Sequence, residues 1–301
     1  LQDGSCYSNC PRTLTDLDAV SHAVFEAPFS SDDLGIVRVA YLAQAVDANT
    51  RAGSGGGGVA AALLRFALQS GIIGAVPGTG MDPESHEGLR LRNLATASRS
   101  AGTPTPILLT DPASVVLHMN VPHRFARVLA AFNSIPKENV AKLGMACLPC
   151  QTASLRKRLG RPAENRADVR NIDLLIAESC ATKRWLEPGE DRQSANKACS
   201  FCWDLTGELA DVSVGSGRGQ PDWNTVLVRT AAGERAFEAA CRGGAIEAKP
   251  LPAESLAQEK KASHDKKARA LRNLTALTGS KSDLAYLRLP QRAFDAWQAG
   301  S

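Results

Sequence analysis

The chain has 301 residues, with 35 Lys and Arg against 31 Asp and Glu for a formal charge of +4, and 44% of its residues are hydrophobic. That length and apolar content exclude general disorder and leave room for one large or two interlocked domains, at about 100–200 residues each; the small net charge gives no case for nucleic acid. No apolar run approaches the ~18 residues of a membrane span, and the start LQDGSCYSNCP lacks the basic-then-apolar pattern of a secretory signal. The expectation is a soluble, cytoplasmic protein, with a segment upstream of Leu1 left open.

In chain order, residues 1–33 read as a polar extension carrying Cys6-Tyr-Ser-Asn-Cys10-Pro11. The Cys-x3-Cys-Pro ending matches the close of a bacterial ferredoxin cysteine run, but the two upstream cysteines are absent, so the pair reads as a vestige or a surface loop. Residues 34–47 (LGIVRVAYLAQAVD) are β-branched and aromatic in partial alternation, which predicts a strand followed by a turn. The tract Gly53-Ser54-Gly55-Gly56-Gly57-Gly58 then opens VAAALLRFALQSG, a helix rich in Ala and Leu with Gly71 as its stop. A glycine loop entering a helix exposes backbone N–H groups at the positive end of the dipole, a place suited to a pyrophosphate. Gly53, Gly55 and Gly58 satisfy the dinucleotide fingerprint literally, although no acidic residue ends a later strand at the expected distance and a flexible linker has the same composition.

IIGAVPG reads as a short buried strand, Met81 to Ser100 as polar connection, and Pro104, Pro106 and ILLT as another extended piece. Residues 124–132 predict an amphipathic helix. Residues 140–147 (VAKLGMAC) predict a strand that delivers Cys147 and Cys150 to a loop, with a basic helix over Gln151 to Leu159. A strand at 172–177 leads to Cys180; WNTVLVRT and GERAFEAACRGG read as a strand and a helix closed by glycines. The charged run 255–275 reads as a solvated helical face or a partner-docking surface. His118 and His123 read as surface or loop residues. Strands alternating with helices, with cysteine or glycine loops at the strand ends, describe an α/β protein of mixed β-sheets flanked by helices whose site lies along strand ends.

The cysteines carry the chemistry. Cys147-Leu-Pro-Cys150, Cys180 and Cys199-Ser-Phe-Cys202 hold five of the eight. Thiolates are the ligands of iron-sulfur clusters and tightly held zinc, and a two-residue spacer lets two sulfurs converge on one centre. A four-cysteine zinc site is a rival reading, but 48 residues separate Cys150 from Cys199, against roughly 15–20 in a zinc ribbon. Buried, inert thiols are the third reading.

Several segments then resemble, in order, the beta subunits of coenzyme F420-reducing hydrogenases and their formate dehydrogenase relatives: GGVAAALLRFAL with its later GII, LPCQTASLRKRL, IDLLIAESC, CSFCWDLTGELADVSVGS and WNTVLVRTAAGE. The resemblance spans about residues 34–252. It implies an iron-sulfur flavoprotein oxidoreductase subunit that passes electrons between a [4Fe-4S] cluster, FAD and a soluble two-electron carrier of the coenzyme F420 type, within a larger hydrogenase, dehydrogenase or reductase complex. Position by position, the resemblance implies cluster ligands at Cys150, Cys180, Cys199 and Cys202, with Cys147 outside the set. It implies cofactor contacts from the glycine tract, Gly55, Gly56, Gly57 and Gly58, and from Ser213, Gly215 and Ser216 in a loop over Ala210 to Ser216. It divides the chain into the extension 1–33, a flavin-binding-like region 34–139, an iron-sulfur domain 140–254 and a charged helical tail 255–301. Three departures stand out. The family's Asp-Gly-Gly-x-x-Thr becomes Gly56-Gly57-Gly58-Val59-Ala60-Ala61, its Gly-Ser-Lys-Tyr loop has no counterpart near His118 to His123, and Cys180 and Cys199 have only 18 residues between them. The alternative expectation is a non-catalytic, cluster-binding relay or scaffold subunit without flavin.

Overall fold

Six strands drawn from both halves of the chain form one mixed sheet in a computed structural model, which describes residues 10, 13–54, 56–80, 105–119, 129, 132–133, 142–159, 171–181, 197–279 and 287–299. In chain order the elements begin with β1 (Thr15–Asp16), α1 (Leu17–Phe25), β2 (Val39–Ala45), α2 (Ala48–Gly53) and α3 (Val59–Gln69). They continue with β3 (Val76–Gly80), β4 (Thr105–Leu109), α4 (Pro112–Met119), β5 (Leu143–Cys147), α5 (Pro149–Leu159) and β6 (Ile172–Glu178). A 3₁₀ turn (Lys197–Phe201) precedes β7 (Val212–Ser216), β8 (Asn224–Val228), α6 (Ala231–Arg242), β9 (Ile246–Pro250), α7 (Ala253–Thr278), β10 (Leu287–Arg288) and α8 (Gln291–Gln298).

The sheet order is β5-β6-β7-β8-β2-β9. The pairs β5–β6 and β6–β7 are parallel; β7–β8, β8–β2 and β2–β9 are antiparallel. The mixed α/β architecture with flanking helices is thus as expected. Two small sheets, β3–β4 and β1–β10, complete the strands, and the chain entering β3 joins β5 through a parallel bridge between Ala75 and Leu143. Because β2 pairs with β8 and β9, the first strand of the region 34–139 is built into the sheet of the region 140–254.

Alternation along the strands decides the packing. Val212, Val214, Val226 and Val228 bury one face against Val59, Leu63 and Ala67 of α3 and Phe237 and Ala240 of α6. Near β5, Met145, Cys147 and Leu175 pack with Phe132 and Leu155. A third cluster joins α1, α7 and α8, where Trp203 stacks on Trp297 at 5.5 Å between ring centres and meets Phe29 edge-on at 5.6 Å. Local signals set the helix ends. Thr230 caps α6 by accepting from Gly233 N, Pro149 opens α5 at a position where no N–H is needed, and Gly279 ends α7 in the left-handed region.

Helix α7 departs from the sequence reading. Its charged run is solvated on one side only, where Lys261 and Asp265 are exposed; Glu259, Ser263, Lys266 and Lys267 are buried together with Ala270, Leu271 and Leu274. Lys267 Nζ lies 2.7 Å from Glu208 and also donates to the carbonyls of Asp32 and Asp33. Beside them, Arg229 donates to Ser213 Oγ, Thr206 Oγ1 and the carbonyls of Leu34 and Ile36. Composition marks such residues as exposed, and only pairing of this kind lets them sit inside. The segment Ala210 to Ser216 also differs from expectation: Val212–Ser216 is a central strand, not a loop. Asp211 at its start accepts from Leu175 N and Thr230 Oγ1 and faces Arg156 at 3.0 Å, so it is a structural carboxylate.

Burial pushes the Glu208 carboxyl up from 4.5 to about 7, against the pull of Lys267. An acid raised in the folded state keeps a proton that the unfolded chain gives up, so its contribution favours folding at low pH and is lost as pH rises through about 4.5 to 7. Urea midpoints measured across that range should fall with rising pH more steeply for the wild type than for Glu208→Gln. Parallel curves for the two proteins would refute the assignment.

Candidate functional site

The parallel register of β5 and β6 sets the geometry of the cysteines. Cys147 pairs with Ala177, and Cys150 and Cys180 each follow three residues later, so both leave the same end of the sheet on neighbouring strands. Cys150 does not lie in a loop; it occupies the first turn of α5, where Gln151 Oε1 accepts from Leu148 N. Cys180 N donates to the Leu205 carbonyl at 2.8 Å, which draws the Cys199–Cys202 turn alongside it. Cys202 N in turn donates to the Cys199 carbonyl at 3.2 Å. Gly207 permits this approach. It has φ +78°, and a Cβ there would stand 2.0 Å from the Ala177 Cβ, so only glycine lets the loop descend onto β6.

Cys150, Cys180 and Cys199 are partly exposed and Cys202 is buried. Cys147, by contrast, is fully buried, and burial with the nearby Glu178 and Cys150 pushes its thiol well above the ordinary range. Among the described residues no three His, Cys, Asp or Glu side chains converge as ligands of a single metal ion. Of the N-terminal pair, Cys10 is described, with its carbonyl accepting from Lys157 Nζ, and Cys6 lies outside the described residues. His118 belongs to α4, and His123 lies outside the described residues.

A cavity of about 940 Å³ opens beside the cysteine loops. It is at the upper end of the range for small-molecule and cofactor sites. Its walls include the glycine turn at Gly56 and Gly58, the start of α3 at Val59 to Ala61, the end of β6 at Glu178 and Ser179, and the turn Gly215 to Gly219. Gly58 has φ +71°, and a Cβ on it would come 2.9 Å from the Thr50 carbonyl oxygen. The first turn of a helix has amides without intrahelical partners. Val59 N is taken by Asn224 Oδ1 at 3.1 Å, while Ala60 and Ala61, next in that turn, line the cavity.

Of the expected cofactor contacts, Gly56, Gly58, Gly215 and Ser216 line this cavity. Gly57 turns away, with its carbonyl accepting from Ala45 N and its Cα against Asn224 and Trp223. Ser213 sits two residues deeper in β7, buried, where its hydroxyl donates to Gly207 O and accepts from Arg229 Nε. Gly55 lies outside the described residues. The walls also contain Arg218, Trp223, Asn224 and Gln258, which the sequence reading passed over. Arg218 donates to the buried Glu259 at 2.5 Å, and Lys249 stands 4.1 Å over the Trp223 ring. The flanking glycines of GSGRGQ were a signal for Arg218; nothing local marks Gln258, inside a charged run, as facing a cavity.

Cysteines follow two parallel strands of a mixed sheet, next to a glycine-walled cavity of cofactor size at the strand ends. The comparisons say what such a chain is similar to. Residues 181–254 match the family described as the C terminus of the coenzyme F420 hydrogenase/dehydrogenase beta subunit. The chain is 26% identical over 287 residues to coenzyme F420 hydrogenase subunit beta of Methanothermobacter thermautotrophicus, covering 81% of this chain and 96% of that protein. It is 23% identical over 229 residues to the same-named subunit of Methanococcus voltae, covering 63% and 80%. It is 26% identical over 233 residues to a subunit of the F(420)H(2) dehydrogenase of Methanosarcina mazei, covering 70% and 65%. Among solved structures, a chain of the F420-reducing [NiFe] hydrogenase complex from Methanosarcina barkeri superposes with a TM-score of 0.67 at 18% identity, covering 86% of this chain and 98% of that one, and so shares the fold. The resemblance to the beta subunits of F420-reducing hydrogenases and related dehydrogenases is borne out.

One consequence concerns the glycine turn. Gly58→Ala should lower stability by about 1–2 kcal/mol, since it adds left-handed strain to a steric clash, and thermal unfolding measures it. An unchanged melting temperature would refute the close approach of Gly58 to Thr50.

Proposed function

We propose that this chain is an iron-sulfur flavoprotein subunit of a hydrogenase-, dehydrogenase- or reductase-type complex, in which Cys150, Cys180, Cys199 and Cys202 hold a [4Fe-4S] cluster and the cavity beside them holds FAD. The observation that carries this reading is one short segment. Glu178 and Ser179 form cavity wall, and Cys180 follows directly, so the two sites share a backbone. A bound flavin exchanges electrons in pairs and a cluster one at a time, so the two together join a soluble two-electron carrier to a one-electron partner. The chain's own residues hold and orient. The amides of Ala60 and Ala61 and the Arg218 guanidinium suit an anionic pyrophosphate, and the Glu259 carboxylate fixes Arg218 in place. Cys150 stands in the first turn of α5, at the amide end of the helix. A carrier of the coenzyme F420 type is the substrate suggested by the names of the relatives. No described helix is long and apolar enough to cross a membrane.

A flavin-free relay subunit is the second reading. It is favoured by Asn224, which occupies the first amide of α3, and by a glycine turn that offers no side chain to a ligand.

Anaerobic purification of the full chain should give a brown protein with about four iron per chain and a flavin absorbance band. Colourless protein carrying one zinc would overturn the reading, and an intact cluster spectrum without flavin would select the relay. Cys202→Ser should lose most of its iron, whereas Cys241→Ser, in the last turn of α6 and outside the proposed ligand set, should keep it; equal iron content in the two would contradict the ligand set. Arg218→Ala should release flavin at several-fold lower dilution than the wild type, read by flavin fluorescence after gel filtration, with iron content unchanged.

A further inference from the structure

Helix α7 lies almost wholly beyond residues 181–254, the segment that matches the family, yet it supplies a buried cation to the cysteine loops. Lys266 is only 4% exposed. Its Nζ donates to the carbonyl of Cys180 at 2.5 Å and to that of Asp204 at 2.6 Å. A single ammonium therefore bridges the cysteine that follows β6 and the chain two residues past Cys202. Seven residues on, two turns along the same face of α7, Asn273 Nδ2 donates to the carbonyl of Ser200 at 2.8 Å, inside the Cys199–Cys202 turn. The next residue, Lys267, points instead at Glu208 and the carbonyls of Asp32 and Asp33. Adjacent lysines thus divide the work: one ties α7 to the protein's polar core and the other to the cysteine loops.

We propose that Lys266 is a positioning residue for the cysteine-bound centre: it clamps the Cys180 and Cys199–Cys202 loops to each other, and its charge raises the reduction potential of the centre they hold. The inference rests on reading the four cysteines as cluster ligands. A lysine is costly to bury, and two carbonyl dipoles compensate it only in part. Cys202 Sγ lies 3.7 Å from the same Asp204 carbonyl oxygen, so a centre held by that sulfur would form beside the ammonium. Adding an electron to such a centre adds one more negative charge, which a cation in low-dielectric surroundings stabilises more than water-screened charge would. The same bonds fix two of the three ligand segments against one helix, so the spacing of their sulfurs is set before anything binds.

The test uses the full chain, loaded anaerobically, with iron content and an electron-paramagnetic-resonance redox titration for the wild type, Lys266→Met, Lys266→Arg and Lys261→Met. Lys261 is exposed on the same helix and pairs only with Asp265 among the described residues, so it controls for loss of one charge. Lys266→Met should retain severalfold less iron, and the iron it does retain should titrate at a more negative potential. Lys266→Arg should restore both most of the way, and Lys261→Met should match the wild type. Amide hydrogen exchange on the iron-free proteins gives a second reading: protection at Cys180 and over 202–206 should fall in Lys266→Met and stay in Lys266→Arg. Wild-type potential and iron in Lys266→Met, or unchanged amide protection, would overturn the clamp while leaving the ligand set standing. A wild type that takes up no iron would overturn the ligand set itself and the potential shift with it.

Discussion

Lys267 and Glu208, both essentially inaccessible to solvent and 2.7 Å apart, hold together parts of the chain that are far apart in sequence. Glu208 stands in the loop between the Cys199–Cys202 turn and β7; Lys267 is in the middle of α7; and the carbonyls of Asp32 and Asp33, which also accept from Lys267, belong to the approach to β2. Removing Glu208 would leave the buried Lys267 ammonium on the Asp32 and Asp33 carbonyls alone, at a cost of about 3–5 kcal/mol. Asp204 closes the arrangement by accepting from the amides of Gly207 and Glu208, which shapes the loop just after Cys202. The path of the cysteine loops is therefore fixed by charge pairing in the interior more than by apolar packing at the site.

The sheet contributes the other half. Parallel pairing of β5, β6 and β7 puts strand ends and following loops on one side, the general place for ligands in α/β sheets. From that edge the chain turns into α5 after β5 and into the cysteine loop after β6, while the antiparallel return through β8 brings Asn224 back against the glycine turn. Cavity and cysteines are neighbours because β6 ends at Glu178 and is followed by Ser179 and then Cys180, with no residue between the cavity wall and the cysteine.

Much of the fold was legible locally. Partial alternation gave β2, apolar runs gave β6 and β8, the Ala- and Leu-rich run gave α3, and the terminal glycines closed α6. The strand Val212–Ser216 was missed because the resemblance placed a cofactor-lining loop there, and β6 and β8 flank it on both sides as a central strand. The charged run of α7 was read as solvated because propensity and composition cannot tell a lysine facing water from one facing a buried carboxylate; Glu208 lies 59 residues earlier. Ser213 was read as a cofactor contact for a related reason. Its place in the motif was visible, but its partner, Arg229, lies on the neighbouring strand.

The sequence by itself determined the chemistry on offer: which thiols stand in ligand-like spacing, where a glycine turn enters a helix, and which ordered motifs align with the F420 beta subunits. Those are properties of side-chain type and short separation, and they survive without coordinates. Only the tertiary structure decided which of these residues face one another. Gly57 and Ser213 turned inward, Arg218 and Gln258 turned towards the cavity, and Lys266 was placed on the carbonyl of Cys180. The reason is that each of those orientations is set by a partner brought in through strand order and helix packing, and such long-range pairing leaves no local trace in the chain.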